Sequence, residues 1–191
     1  HHRRYTYTQK GMKFIHIFLF ILALAPQLAL AINDTRQMEN VSWDEKLGSI
    51  IDLNSKIIST DGSNMSLDQI LDQDKPTVFV LAYYSCPRMC TFLLDGTFDA
   101  VSSNTEARPG IDYNLVTLSF DSSDSPEFAR SKEEKYEKKL NQGESWNFFV
   151  AEDISIKSIS DSVGFKFVKD GNDFANQAGI IILNKERKIF R

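Results

Sequence analysis

Cys86 and Cys90 are the two cysteines of this chain, four positions apart in Tyr83-Tyr84-Ser85-Cys86-Pro87-Arg88-Met89-Cys90. A thiol pair at this spacing can exchange with disulfides, or as thiolates it can hold a soft metal ion. A structural disulfide is the plainer alternative. Closing so short a loop would contribute only about 2 kcal/mol in the loop-entropy model, so thiol chemistry is the preferred reading.

The elements around the pair favour that chemistry. Residues 77–84 form an apolar, β-branched run of the kind buried on both faces of a sheet, and Met89, Phe92, Leu93, Ala100 and Val101 continue it with helical spacing. The cysteines therefore fall where a strand passes into a helix. Unpaired N–H groups and the macrodipole at that helix N-terminus favour thiolate over thiol.

Upstream, residues 56–60 with the turn Asp61-Gly62 predict a short hairpin, and Ser66 caps a small helix over 67–71. Downstream, residues 114–120 read as a strand, and Ser125-Pro126 opens a helix with Phe128, Tyr136 and Leu140 on one face. A third strand over 146–150 precedes a helix carrying Ile156, Ile159 and Val163 and closed by Gly164. Residues 165–168 and 178–183 read as paired strands across the turn 169–172, and residues 188–191 start one more element. Alternating strands and helices followed by a late hairpin predict an α/β fold, a thioredoxin-like three-layer sandwich with a mixed central sheet. None of the five prolines, at 26, 76, 87, 109 and 126, lies at the late hairpin, so the cis-proline loop of ordinary thioredoxins is missing.

Composition bounds the function. With 191 residues, 42% of them apolar and 25% charged, the chain can build one domain with a sizeable core. Residues 1–31 read as a leader: a basic start, an apolar stretch over 14–25 and Ala29-Leu30-Ala31 before a cleavage point. Residues 1–11 precede the first Met and read as non-native sequence. An uncleaved anchor is the alternative to cleavage, though His16, Pro26 and Gln27 interrupt the apolar stretch. Residues 32–42 read as a polar tether and 43–191 as the folded domain. The leader holds Arg3, Arg4, Lys10 and Lys13 and no acid, so acidic residues beyond it outnumber basic ones by about eight. That excess argues against nucleic acid as a partner. An export signal places the thiols in an oxidising compartment, periplasmic or membrane-anchored facing the periplasm in a bacterial cell.

From about Trp43 to Arg191 the chain resembles the SCO/SenC family (SCO1/SenC), thioredoxin-like copper proteins of cytochrome c oxidase assembly. The resemblance is carried by the Tyr83-to-Cys90 motif with Leu94-Asp95-Gly96, by Ser119-Phe120-Asp121 ahead of Ser125-Pro126, by Trp146-Asn147-Phe148, and by Phe174-Ala175-Asn176-Gln177-Ala178-Gly179. It implies copper binding through Cys86 and Cys90 together with a histidine, whose place is taken here by Asn176. The chain's histidines are His1, His2 and His16, all in the leader. Asn176 reads as a turn residue, because an amide oxygen is a poor copper ligand. Cu(I) accepts two thiolates, with the Met89 thioether as a further soft donor, whereas Cu(II) prefers imidazole. Asp121, Asp124, Trp146 and Phe174 fall in family-like stretches and are expected to serve loops and core, not the site. The resemblance also implies a further strand and a C-terminal helix beyond Arg191, so the domain is expected to be incomplete there.

Three functions follow as expectations. The first is a copper-binding accessory protein that passes Cu(I) to an oxidase subunit or another copper protein. The second is a thiol–disulfide reductase acting on the cysteines of an apo-copper protein, with Cys86 and Cys90 as the redox dithiol and Cys86 attacking first. The third is a binding module without thiol chemistry. Peroxidase activity would want Thr three residues before the cysteine, and Tyr83 stands there.

Overall fold

The computed structural model describes residues 41–71, 74–86, 88–171, 173–177 and 179–191. The expectations for the leader, and for the tether up to residue 40, lie outside the described residues.

The domain opens with a hairpin of β1 (Lys56–Ile58) and β2 (Asn64–Ser66), followed at once by the one-turn helix α1 (Leu67–Ile70). Ser66 and Gln69 form a capping box at its start, so two otherwise unpaired N–H groups are satisfied locally. The apolar run becomes β3 (Thr77–Ala82). Helix α2 (Met89–Ser103) carries the chain to β4 (Asn114–Ser119), and α3 (Pro126–Glu137) carries it to β5 (Asn147–Phe149). Ser125 accepts from the Phe128 N–H with Pro126 in the first turn, as the sequence predicts. Helix α4 (Asp153–Val163) ends on Gly164 at φ 73°. A side chain there would run into the Asp44 backbone, so glycine is required twice over.

β3 is in parallel register with β4, from Thr77 opposite Asn114 to Ala82 opposite Ser119. β4 is parallel to β5. Parallel neighbours need a crossover, and α2 and α3 supply it. The chain then makes a hairpin of β6 (Phe167–Asp170) and β7 (Asp173–Asn176) before β8 (Ile180–Leu183) returns antiparallel to β3. The result is a mixed sheet of order β5-β4-β3-β8 flanked by helices, the expected sandwich. Among the described residues no helix is long and apolar enough to cross a membrane.

Buried aromatics tie the layers together. Tyr136 of α3 stacks on Phe148 of β5 at 5.9 Å and packs on Trp146 at 4.8 Å. The Trp146 indole N–H donates to Thr117 Oγ1 at 2.8 Å, which satisfies the polar group that burial would otherwise strand. The Tyr84 hydroxyl, just beyond β3, donates to the Phe149 carbonyl at 2.6 Å.

Three expectations need correction. Residues 165–168 and 178–183 do not pair with each other: β6 pairs with β7, and β8 joins the central sheet beside β3. The strands pair right up to Asp170 opposite Asp173, so the nearer segment closes the hairpin, which leaves Ile180–Leu183 to fill the sheet edge. Of the residues expected on the core face of α3, Tyr136 is buried, Phe128 is exposed with Ala129 buried in its stead, and Leu140 lies beyond the helix end. On α2 the core face holds Cys90, Leu94 and Thr97, while Met89 and Phe92 are 50% and 74% exposed.

Candidate thiol site

The cysteine loop leaves the sheet at its C-terminal end, where ligand sites of parallel α/β sheets form. Tyr83 and Tyr84 extend β3, and the Cys86 N–H donates to the Tyr83 carbonyl at 3.4 Å, closing a turn that places Cys86 beside the start of α2. Arg88, at the cap position, provides no side-chain acceptor to the helix. The sulfur of Cys86 takes that role and accepts the Cys90 N–H at 3.3 Å. The Tyr83 N–H in turn donates to the Cys90 sulfur at 3.5 Å. The structure thus brings the two sulfurs together on one backbone frame.

Their environments differ. Burial alone would push Cys86 up, but hydrogen bonds from the Tyr83 hydroxyl and from the Cys90 and Arg88 backbone outweigh it, so its thiol is more acidic than usual. Burial dominates at Cys90, and the neighbouring Cys86 adds to it, pushing that thiol up to about 12. Of the two thiols, Cys86 is therefore the one that ionises first. Both side chains are nonetheless well covered, at 7% and 3% exposure.

Two residues outside the motif shape the site. The Tyr83 hydroxyl donates to the Asp173 carboxylate, and the Tyr83 ring packs edge-on to Phe174 at 5.1 Å, so the β6–β7 hairpin is fastened to the cysteine loop. The Tyr83 bond also holds the Asp173 carboxyl below its ordinary value. On the opposite side of the loop, Asp124 accepts the Tyr84 N–H at 2.6 Å and the Ser119 hydroxyl at 2.6 Å. Burial is the largest influence on Asp124 and raises its carboxyl above the usual range. Sequence reading gave Asp124 a structural role in its loop and did not single out Asp173, because their partners lie 40 and 90 positions away and no local pattern joins them.

Asn176 closes β7 opposite Phe167, and its side-chain amide donates to the Gln177 carbonyl at 3.3 Å. Asn176 is therefore a strand residue and not the turn residue expected: the β6–β7 register carries it, and of the expected turn behaviour only the bond to its own chain is present. Among the described residues no group of three or more His, Cys, Asp and Glu side chains is placed to hold a metal. The soft donors that the fold does bring together are the two sulfurs. Two thiolates suit a soft monovalent ion that accepts low coordination, and they do not suit Cu(II) without nitrogen donors. Met89, the further soft donor considered, is half exposed on the first turn of α2.

No family model matches the sequence, and no curated protein matches it. Solved structures do. A candidate electron transfer protein from Aquifex aeolicus VF5 matches with a TM-score of 0.66 at 22% identity, covering 76% of this chain and 83% of that one. A SCO1/SenC family lipoprotein from Bacillus anthracis matches with a TM-score of 0.61 at 15% identity over 78% of this chain and 87% of its own. The copper-bound ScoI of Arabidopsis thaliana matches with a TM-score of 0.56 at 17% identity over 72% and 83%. At such identities the likeness is one of fold. The structural neighbours of this chain include SCO1/SenC proteins as well as the electron transfer protein, and its fold is the thioredoxin-like sandwich.

Proposed function

We propose that the domain binds Cu(I) through the thiolates of Cys86 and Cys90 and passes it by ligand exchange to a copper-receiving protein, in the assembly of a cytochrome c oxidase copper centre. The observation that carries this reading is the pairing of two sulfurs at a helix N-terminus. The reading draws further support from neighbours of the same fold: two ScoI proteins with copper bound, and BsSco, a member of the Sco family of cytochrome c oxidase assembly proteins. Copper here is cargo. Tyr83 holds the Cys90 sulfur through its N–H and fastens the β6–β7 hairpin beside the pair through its hydroxyl. An incoming acceptor thiolate would displace the more acidic Cys86 first, because the weaker base is the better leaving ligand. The leader of residues 1–31 supports a site of action outside the cytoplasm, in the periplasm or on a membrane facing it.

A second reading is favoured by the unequal thiols. As a thiol–disulfide reductase, the Cys86 thiolate would attack a substrate disulfide. One substrate sulfur leaves as a thiolate, and Cys90 then displaces the other, ending as a Cys86–Cys90 disulfide with the substrate as a dithiol.

Anaerobic Cu(I) titration of the full chain against a competing chelator, with Cys86→Ser beside it, tests the first reading. One-to-one binding that disappears in the variant supports copper delivery. Failure to compete for Cu(I), with the dithiol still cycling to a disulfide, replaces it with the reductase.

A further inference from the structure

A buried carboxylate lies beside the cysteine loop and takes part in neither thiol exchange nor metal binding. Asp124 lies in the loop between β4 and α3 and is 7% exposed, yet its hydrogen bonds reach the end of a different strand. Its Oδ2 takes the Tyr84 N–H at 2.6 Å and the Ser119 hydroxyl at 2.6 Å. The Ser85 backbone contributes as well. Tyr84 and Ser85 are the two residues between the sulfur-binding N–H of Tyr83 and the sulfur of Cys86.

The carboxylate is itself held from behind. Ser119 Oγ accepts the Asp121 N–H at 3.1 Å, the Asp124 N–H donates to the Asp121 carbonyl at 3.1 Å, and Asp121 Oδ1 receives the Ser123 N–H and hydroxyl at 2.9 and 2.7 Å. The Phe120 N–H to Ala82 carbonyl bond of 3.0 Å, one step past the β3–β4 register, fixes this loop to the end of β3. A buried carboxylate is retained only where its bonds repay desolvation. Here the bonds it makes are those that turn the chain out of the sheet toward Cys86.

We infer that Asp124 is a positioning residue for the thiol pair: by accepting the Tyr84 N–H it sets the path of residues 84–86 and so the placement of the Cys86 sulfur relative to Cys90. This deepens the thiol-site reading above and rests on it for the identity of the cargo, but not for the geometry. Without the carboxylate the Tyr84 N–H is left unpaired in a buried place. The loop then relaxes toward other partners, and the sulfurs lose their fixed separation.

The test uses the full chain in three forms, wild type, Asp124→Asn and Asp124→Ala, with the Cys86–Cys90 midpoint potential and Cu(I) affinity measured on each and near-UV circular dichroism recording the fold. The Asn side chain keeps an oxygen that can accept the Tyr84 N–H, and Ala does not. Expected for Asp124→Ala is a folded domain with a dithiol–disulfide equilibrium changed about tenfold, equivalent to about 30 mV, and Cu(I) bound about tenfold more weakly. Asp124→Asn is expected to recover most of both. An unchanged potential in folded Asp124→Ala overturns the inference, and so does Asp124→Asn shifting as far as Ala, because charge and not hydrogen bonding would then be at work. If Asp124→Ala does not fold, Ser119→Ala carries the test: it removes the hydroxyl that orients the carboxylate, a shift of about threefold supports the inference, and no shift overturns it. Should wild type fail to bind Cu(I), the copper reading falls while the potentials still decide the role of Asp124.

Discussion

The backbone N–H of Cys90 points at the sulfur of Cys86 across 3.3 Å, so one cysteine serves as helix cap to the other. Ionising Cys86 strengthens this bond, and ionising Cys90 gains nothing comparable from it. The sequence is symmetric in the two thiols; the fold is not.

A pH profile of alkylation reads this asymmetry. With Cys86 more acidic than usual and Cys90 pushed up to about 12, a small electrophile at pH 8 should label Cys86 at least tenfold faster than Cys90. Peptide mapping after a timed iodoacetamide pulse under reducing conditions measures the ratio, and equal labelling refutes it.

The same thiols give opposite pH dependences of stability. The Cys90 thiol is harder to ionise folded than unfolded, so its contribution is complete below about pH 9 and declines as pH rises toward 12, by about 1.4 kcal/mol per pH unit. Urea midpoints at pH 8 and 10.5 should fall further in wild type than in Cys90→Ala. The folded state favours ionised Cys86, so Cys86→Ala should steepen the alkaline loss.

Asn176 offers a gain-of-function test. Replacing it with His returns an imidazole to the end of β7, and imidazole is the donor Cu(II) lacks here. Asn176→His should retain Cu(II) through gel filtration at least tenfold better than wild type, with a thiolate-to-copper absorption band. Cu(II) retained equally by both proteins would mean that another nitrogen donor serves.

Phe120 holds the hairpin to the sheet. Its ring lies 5.2 Å from Tyr83, 4.8 Å from Phe167 and 5.6 Å from Phe174. Phe120→Ala should cost about 3–5 kcal/mol in urea denaturation. Hydrogen exchange in β6 and β7 should rise by more than in β4 and β5, since the variant releases the hairpin before it opens the sheet.

Gly164 and Gly62 make a matched pair, with φ of 73° and 87°. A side chain at Gly62 meets nothing within 4 Å, while one at Gly164 runs into the Asp44 backbone. Gly62→Ala should cost about 1 kcal/mol from its left-handed conformation alone. Gly164→Ala should cost clearly more, with the excess reporting the contact between the end of α4 and the segment around Asp44.

Local rules made much of this fold legible. Ser125-Pro126 announced α3, Gly164 announced the end of α4, and an unbroken apolar run announced β3, because caps, turns and burial on both faces leave marks within a few residues. The site was legible as far as Cys86 and Cys90 at a strand-to-helix junction. Partners chosen by the tertiary fold were not. β8 belongs beside β3 and not in the late hairpin, Phe128 turns outward while Ala129 packs, and Tyr83 and Tyr84 bond to Asp173 and Asp124. Each depends on which distant segment arrives next to the residue, and periodicity carries no record of that.

The antiparallel pairing of β8 with β3 also bears on the order in which the domain is made. Thr77 is matched with Leu183 about a hundred residues later, and a contact of such long range forms late and slowly. A nascent chain emerging N-terminus first exposes Cys86 and Cys90 well before β8 has been synthesised. During that interval the thiols lack the hairpin that Tyr83 will anchor. Biogenesis of the domain, more than its finished state, is therefore the period in which the cysteines stand open to wrong partners, and a folding helper that shields residues 83–90 until residue 183 has emerged would raise the yield of native protein.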